Sequence, residues 1–311
     1  MALHRLNQIT IGVPDVDTTG KYYTEFGLTP AESDIGTATF ATADGGDQLR
    51  LAHSATRRLL ELRIGADDPD DLDRIAAALT RLEIAATRTG SEIRAVDAGT
   101  GTTVVVELAE RLVQTPTPTP PYNAPGVAAR PGTRAPGVER TAAVRPRKLG
   151  HVVLGSTDQE RSQRFFAEGI GLLVSDTVPG LASFMRCSTD HHNVLVQQAP
   201  LGFLHHTAWE VDDVDEVGRG ASAMLAEHPE RHVWGLGRHH IGSNFFWYLR
   251  DPAGNFSEYY SDLDCIVEDA LWKPEVVEGA KGLYNWGPPP PPSFLAPEDL
   301  ADLMINGHSG R

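Results

Sequence analysis

Two short apolar runs in the second half of the chain carry a histidine and lead into an acidic, helix-like stretch. The first run is Lys148–Gly155, followed by Asp158–Glu160, and the second is Phe203–Val211, followed by Asp212–Glu216. A run of this length is typical of a buried strand, and acidic residues are favoured in the first turn of a helix. The pattern therefore predicts a strand followed by a helix at each of the two places.

Each of these units continues into further strands, so that the second half contains two copies of one module. In the first copy the predicted elements after His151 are a helix near Gln159–Gly169 and strands near Leu172–Val178, Ala182–Arg186 and Val194–Gln198. In the second copy the elements after His206 are a helix near Val214–Glu227 and strands near Val233–Trp234, Asn244–Leu249 and Ser257–Tyr260. The first half repeats the pattern more loosely, with Leu6–Val13 and Leu60–Ile64 in the places of the histidine-bearing strands. We therefore expect an α+β fold of two domains, each built from two βαβββ modules in which a helix covers a curved sheet.

A stretch rich in proline, alanine, glycine and threonine separates the two halves. This stretch, residues 113–147, is typical of an extended, semi-rigid linker. It divides an N-terminal domain, residues 1–112, from a C-terminal domain, residues 148–265, and residues 266–311 form a tail. The tail contains Pro288–Pro292 and a predicted helix over Ala296–Met304. We expect the proline run to hold the tail across a neighbouring surface; the alternative is a ligand for an SH3-like partner.

Composition restricts the classes of partner. The chain has 311 residues, 41% of them hydrophobic, which is sufficient for a core in both halves. Its formal net charge of −15 argues against nucleic acid or an anionic membrane as a partner. Only two cysteines are present, and the amino terminus lacks the long apolar stretch of a signal peptide. We therefore expect a protein of the reducing cytoplasm that is not inserted in a membrane.

Three residues on the predicted strands carry candidate chemistry. His151 and His206 open the two histidine-bearing strands, and Glu258 lies in an aromatic run that ends the second module. Two imidazoles and one carboxylate are the ligand set that holds ferrous iron and leaves the opposite face open. Adjacent strand residues point to opposite faces, so only one of His205 and His206 can ligate the metal. We choose His206, which aligns with His151, and expect His205 to be a surface or packing residue.

The N-terminal half lacks this ligand set. Superimposing the repeats places Gln8 opposite His151 and Glu61 opposite His206. An amide and a lone carboxylate make a poor site for a divalent metal. We therefore expect the N-terminal domain to be metal-free and structural.

The chain resembles the type I extradiol catechol dioxygenases, the two-domain branch of the vicinal oxygen chelate superfamily. The resemblance covers nearly the whole chain and is strongest over Lys148–Asp264, especially Gly237–Asn255 and the glutamate that follows. It implies the paired-module fold of the glyoxalase and bleomycin-resistance proteins. It also implies that His151, His206 and Glu258 are the metal ligands, with Fe(II) as the metal and Mn(II) as an alternative.

The resemblance implies roles for further residues of the C-terminal half. His191, fifteen positions before His206, matches the family's acid–base histidine, and its neighbour His192 is the rival. His239 and Tyr248 match positions that hydrogen-bond the substrate hydroxyl and the oxygen species. The chain departs from the biphenyl-diol enzymes at residues 240–242, where those enzymes carry polar residues.

The expected function is extradiol ring cleavage of a catechol by O2. The preferred substrate is an aryl- or alkyl-substituted catechol such as 2,3-dihydroxybiphenyl, and we expect a homo-oligomer. The alternatives are another metal-dependent reaction of the superfamily, such as an isomerisation or epimerisation, and a metal-free small-molecule-binding protein. The three tryptophans Trp209, Trp234 and Trp247 either line an aromatic pocket or, as we expect for at least two of them, belong to the core.

Overall fold

The computed structural model describes residues 2–277 and 282–306 and contains two eight-stranded mixed sheets. The N-terminal elements are β1 Leu3–Val13, α1 Val16–Glu25, β2 Thr29–Ala31, β3 Thr37–Thr42, β4 Gly46–His53, β5 Arg58–Ala66, α2 Pro69–Arg81, β6 Ala86–Arg88, β7 Glu92–Val96 and β8 Thr103–Leu108. The strands follow the order β2-β3-β4-β1-β5-β8-β7-β6. This sheet is therefore two βαβββ modules joined through antiparallel β1 and β5.

The second sheet repeats the arrangement after a short helix, α3 Pro136–Glu139, in the linker. Its elements are β9 Lys148–Ser156, α4 Gln159–Arg164, a π-helical turn Phe165–Ile170, β10 Leu173–Val178, β11 Ala182–Arg186, β12 Val194–Gln198, β13 Phe203–Glu210, α5 Val214–Leu225, a 3₁₀ turn Pro229–Arg231, β14 His232–Arg238, β15 Phe245–Arg250 and β16 Phe256–Ser261. The strand order is β10-β11-β12-β9-β13-β16-β15-β14. The α+β fold of paired βαβββ modules is confirmed.

An aspartate begins the long helix of every module. Asp15, Asp68, Asp158 and Asp213 each follow the first strand of a module, and each accepts a hydrogen bond from a backbone N–H in the first helical turn. Such a cap satisfies a donor that has no partner within the helix, typically stabilising the helix by about 1 kcal/mol. These four caps explain why the acidic stretches predicted the module boundaries.

The two sheets share one hydrophobic core. Aromatic residues of α1 reach the C-terminal sheet: the Phe26 ring stacks on Tyr259 with ring centroids 3.9 Å apart, and the Tyr259 hydroxyl donates to the Phe26 carbonyl at 2.7 Å. The Tyr22 hydroxyl lies 2.5 Å from Ser257 Oγ, with both groups buried. The N-terminal domain therefore supports β16, the strand that carries Glu258.

The tail crosses the C-terminal sheet. It contains a 3₁₀ turn Asp269–Leu271, α6 Pro292–Leu295 and α7 Leu300–Asn306. The last helix begins four residues later than the predicted Ala296–Met304, because residues 296–299 form a separate turn. Phe294 is 4% exposed, and the Trp234 indole donates to the Pro288 carbonyl at 2.7 Å. The proline run thus holds the tail against its own domain.

Within the described ranges, no helix is both long and apolar enough to cross a membrane.

Candidate metal centre

His151, His206 and Glu258 lie on three neighbouring strands, β9, β13 and β16. Ala208 is the register partner of both His151 and Glu258, and His206 lies two residues before it. Because strand side chains alternate between faces, all three point to the same face. Their ligand atoms lie within 4.8 Å of one another, with Glu258 Oε2 at 3.2 Å from His151 Nε2 and 3.4 Å from His206 Nε2. The strand register thus brings together the three candidate ligands.

The surroundings of Glu258 fit a bound cation. Its side chain is fully buried; Asn244 Nδ2 donates to Oε1 at 3.0 Å, whereas Oε2 accepts no hydrogen bond. A buried carboxylate oxygen without a donor is unfavourable unless a positive charge offsets the desolvation. A divalent metal between Oε2 and the two imidazoles would provide that charge. In the described part of the chain, this is the one cluster of three or more such side chains arranged to hold a metal.

Strand alternation predicted that His205 and His206 point to opposite faces. Instead, His205 is buried and lines the same cavity as His206. The register of β13 against β9 shifts between Leu204 and His206, and a shift of this kind re-aims the extra residue. His205 is 3% exposed, and its Nδ1 lies 2.7 Å from Nδ1 of His206. Burial lowers the pKa of His205 to about 4, so the ring is neutral at neutral pH. The prediction that His205 is a surface residue is therefore wrong. It is a buried packing residue that also hydrogen-bonds the candidate ligand His206.

The acid–base candidates His191 and His192 take different positions. His192 lines the cavity next to the three candidate ligands, and its ring centroid lies 4.3 Å from that of His151. His191 lies behind it: Nε2 is 2.9 Å from Asp176 Oδ2, and Nδ1 is 3.0 Å from His192 Nδ1. Burial and then the neighbouring histidines lower the pKa of His192. The geometry therefore favours His192 over His191 for proton transfer.

Asp176 orients this pair. Its carboxylate accepts from His191 Nε2, and with a neutral His191 ring Nδ1 accepts from His192 Nδ1. His192 Nε2 then carries a lone pair. Asp176 is itself held by the Glu275 backbone N–H, which donates to Oδ1 at 2.6 Å. Asp176 was not predicted from the sequence, because nothing in the chain pattern connects it with the histidine pair.

His239 and Tyr248 both line the cavity and contact each other. The Tyr248 hydroxyl lies 2.8 Å from His239 Nε2, and His239 Nδ1 donates to the Leu283 carbonyl. Burial, followed by the charge of Glu258, raises the pKa of Tyr248, so its phenol keeps its proton as a donor. Burial also lowers the pKa of His239. The pair thus places a neutral donor and a neutral imidazole beside Glu258.

Most of the remaining cavity wall is apolar. The side chains that share this property are Val153, Phe184, Leu195, Ile241, Leu283 and Phe294. Gln197 also lines the cavity, and no lysine or arginine does so among the described residues. Leu283 and Phe294 come from the tail, which the sequence had not connected with the site. The three tryptophans are not among the described lining residues: Trp209 and Trp234 are buried in the core, and Trp247 is partly buried.

The N-terminal sheet lacks the ligand set at the equivalent positions. Arg63 is the register partner of Gln8 and Val105, just as Ala208 is of His151 and Glu258, and Glu61 precedes Arg63 by two residues as His206 precedes Ala208. Gln8, Glu61 and Val105 therefore correspond to His151, His206 and Glu258. The predicted alignment of Gln8 and Glu61 with the two histidines agrees with the strand register, because the register shifts beside them recur at the same places in both sheets.

Arginines hold the carboxylate at the position equivalent to His206. Glu61 accepts hydrogen bonds from Arg63 and from Arg94, each at 2.6 Å. Arg94 is the register partner of Val105, as Tyr248 is of Glu258. Arg63 also donates to Glu92 at 2.7 Å and to Glu107 at 2.6 Å. Guanidinium ions thus satisfy Glu61 at the place where the second domain gathers its candidate ligands.

Comparison with known proteins supports the same reading of the chain. The model of the glyoxalase/bleomycin resistance protein/dioxygenase superfamily matches residues 148–259. The chain is 31% identical to metapyrocatechase 2 of Cupriavidus necator over 307 residues, which cover 94% of this chain and 92% of the relative. It is 29% identical to an iron-dependent extradiol dioxygenase of Rhodococcus jostii over 155 residues, or 45% of this chain and 50% of that one.

A solved structure confirms the fold. The Mn(II)-bound glyoxalase of Novosphingobium aromaticivorans superimposes with a TM-score of 0.74 at 24% identity, covering 93% of both chains. The Rhodococcus relative is thus named as iron-dependent, and the Novosphingobium structure contains Mn(II). The full-length similarity to metapyrocatechase 2 identifies the chain as a type I extradiol catechol dioxygenase of the glyoxalase/bleomycin resistance protein/dioxygenase superfamily, an oxidoreductase that incorporates both atoms of O2.

Proposed function

We propose that the chain cleaves a catechol with an uncharged alkyl or aryl substituent, such as 2,3-dihydroxybiphenyl, at Fe(II) held by His151, His206 and Glu258. The observation that carries this proposal is the convergence of the three ligand atoms within 4.8 Å at the base of an apolar cavity. When bound, the metal would supply the Lewis acidity and redox chemistry for the reaction of a diol with O2. Mn(II) accepts the same ligands and is the alternative.

The wall of the cavity supports an uncharged substituent. Its apolar side chains favour a ring with an alkyl or aryl group through the hydrophobic effect. A carboxylate on the substrate would be desolvated without a cationic partner among the described lining residues. Ile241 adds to the apolar surface at the segment where the chain departs from the biphenyl-diol enzymes.

The remaining side chains would manage protons. His192 Nε2, held as an acceptor by the chain of hydrogen bonds from Asp176, would take a proton from the diol and later return it. The Tyr248 phenol and His239 would hydrogen-bond the substrate hydroxyl and the reacting oxygen. His191 would fix the orientation of His192 rather than touch the substrate.

The substrate proposal is tested by metal analysis of anaerobically purified protein and a panel of catechols. We expect one iron per chain and a yellow ring-fission product, with higher kcat/KM for 3-methyl- and 3-phenylcatechol than for a catechol that bears a carboxylate. A preference for the carboxylated catechol would contradict the apolar-wall argument. Iron-loaded protein that converts none of these diols would contradict the proposed reaction.

The proton-transfer proposal is tested by His192→Gln with His191→Gln as its matched neighbour. We expect His192→Gln to bind metal and catechol but to lose about 10²–10⁴-fold in kcat, the usual contribution of an acid–base group. His191→Gln should lose less, because it acts through one hydrogen bond. A larger loss in His191→Gln would return the role to His191, the residue that the family spacing had indicated.

Two further expectations complete the proposal. We expect the enzyme to work in the cytoplasm, a location supported by the two unpaired cysteines, Cys187 and Cys265. We also expect a homo-oligomer, and light scattering in solution would measure its size.

A further inference from the structure

Two hydrogen bonds connect the candidate ligand His206 to the C-terminal tail through His205. His205 Nδ1 lies 2.7 Å from His206 Nδ1, and His205 Nε2 lies 2.6 Å from the Phe294 carbonyl oxygen. All three residues are buried, with exposures of 3%, 6% and 4%. Both contacts are therefore shielded from bulk water.

The carbonyl sets the direction of both hydrogen bonds. A carbonyl oxygen only accepts, so His205 Nε2 must donate to Phe294. A neutral imidazole that donates from one nitrogen accepts at the other, so His206 Nδ1 donates to His205 Nδ1. His206 Nε2 is then left with a lone pair, 3.4 Å from Glu258 Oε2. This is the tautomer that a metal ligand bound through Nε2 requires.

The tail is held in place by the N-terminal domain. Arg57 Nε and Nη2 donate to the two carboxylate oxygens of Asp299 at 2.6 and 2.9 Å. Arg57 Nη1 also donates to the Leu204 carbonyl, the residue before His205, at 2.7 Å. One buried guanidinium thus fixes both the strand that carries His205 and the tail segment that follows Phe294.

We propose that His205 is a positioning residue of the metal centre, which holds His206 in its metal-binding tautomer and makes metal retention depend on docking of the C-terminal tail. The inference rests on the proposed role of His206 as a ligand. It adds a function for His205 and for the tail that does not follow from the ligand set itself.

The first test measures the tautomer and the metal affinity separately. In metal-free protein, long-range ¹H–¹⁵N correlation spectra should show His206 protonated at Nδ1 in the wild type and a mixture of tautomers in His205→Phe. In anaerobic competition with a chromophoric chelator, His205→Phe should raise the Kd for Fe(II) about 10- to 100-fold. His205→Asn places an acceptor close to the lost Nδ1 and should recover part of the affinity. Unchanged affinity and tautomer in His205→Phe would overturn the proposal.

The second test addresses the tail. Asp299→Asn weakens the ion pair with Arg57 and should speed the transfer of Fe(II) to the chelator, whereas Asp302→Asn, an exposed position in α7, is the matched control. If the tail acts through His205, Asp299→Asn should have little further effect in the His205→Phe background. A full additional effect in the double variant would show that the tail stabilises the site by another route.

The ligand assignment of His206 and the positioning role of His205 can be refuted separately. A wild-type protein that binds no Fe(II) through His206 would refute the proposed ligand set, while the tautomer measured without metal would still report on His205. Fe(II) binding that is normal in wild type and equally tight in His205→Phe would refute only the positioning role.

Discussion

Arg63→Met should destabilise the N-terminal domain at neutral pH. Arg63 is 20% exposed, and its three partners, Glu61, Glu92 and Glu107, are 18–25% exposed. Removing one partner of a buried ion pair costs about 3–5 kcal/mol. Because about a fifth of each side chain reaches solvent, screening should bring the loss to about 3 kcal/mol.

The destabilisation caused by Arg63→Met should be smaller at acidic pH. Burial raises the pKa of Glu107, but the hydrogen bonds from Arg63 and Asn7 outweigh it, so the net pKa lies below 4.5. A depressed folded-state pKa contributes stability that is present above the unfolded value and is lost as the pH falls through the folded value. Arg63→Met removes that contribution, so the two proteins should differ most near pH 7 and progressively less as the pH falls below 4.5.

Urea unfolding of the metal-free proteins at pH 7 and at several pH values below 4.5 measures this difference. Arg94→Met is the matched control: Arg94 also pairs with Glu61, at 2.6 Å, but is 42% exposed, so we expect a loss below about 1 kcal/mol. Turnover of folded Arg63→Met should stay normal, since the candidate site lies in the other domain. Equal losses in the two variants, or a loss that does not depend on pH, would refute the reasoning.

Three further predictions concern other side chains. Glu258→Gln should reduce bound metal to background while leaving the metal-free protein at least as stable to urea, and full metal occupancy would contradict the ligand assignment. Burial raises the pKa of Asp251 from 3.8 to about 6. The contribution of Asp251 to the free energy of unfolding therefore falls by about 3 kcal/mol as the pH rises through this range. Asp251→Asn cannot titrate, so its unfolding free energy relative to wild type should increase over that window, as urea titrations at several pH values would show. Gln8→Ala and Glu61→Ala, at the N-terminal positions equivalent to His151 and His206, should leave metal content and turnover unchanged, and a loss of metal in either variant would contradict a metal-free N-terminal domain.

The fold was predictable from local signals that the structure retains. An aspartate cap after the first strand of each module and the short apolar strands gave the element order. Equivalent positions within the strands were also predictable, because the register shifts recur in both sheets. The shift between Leu6 and Gln8 matches that between Leu149 and His151, so Gln8 and Glu61 keep the places of His151 and His206. Sequence spacing does not reveal such a shift, and for this reason the face of His205 was predicted incorrectly.

The two histidine pairs show why spacing alone could not complete the candidate site. In each pair the first ring is held at Nε2 by an acceptor, Asp176 for His191 and the Phe294 carbonyl for His205. The second ring then presents its own Nε2 to the centre. Which member faces inward depends on the acceptor, and for His205 that acceptor lies 89 residues away in the tail. Local alternation contains no information about such a partner, so the assignment within each pair required the packed structure.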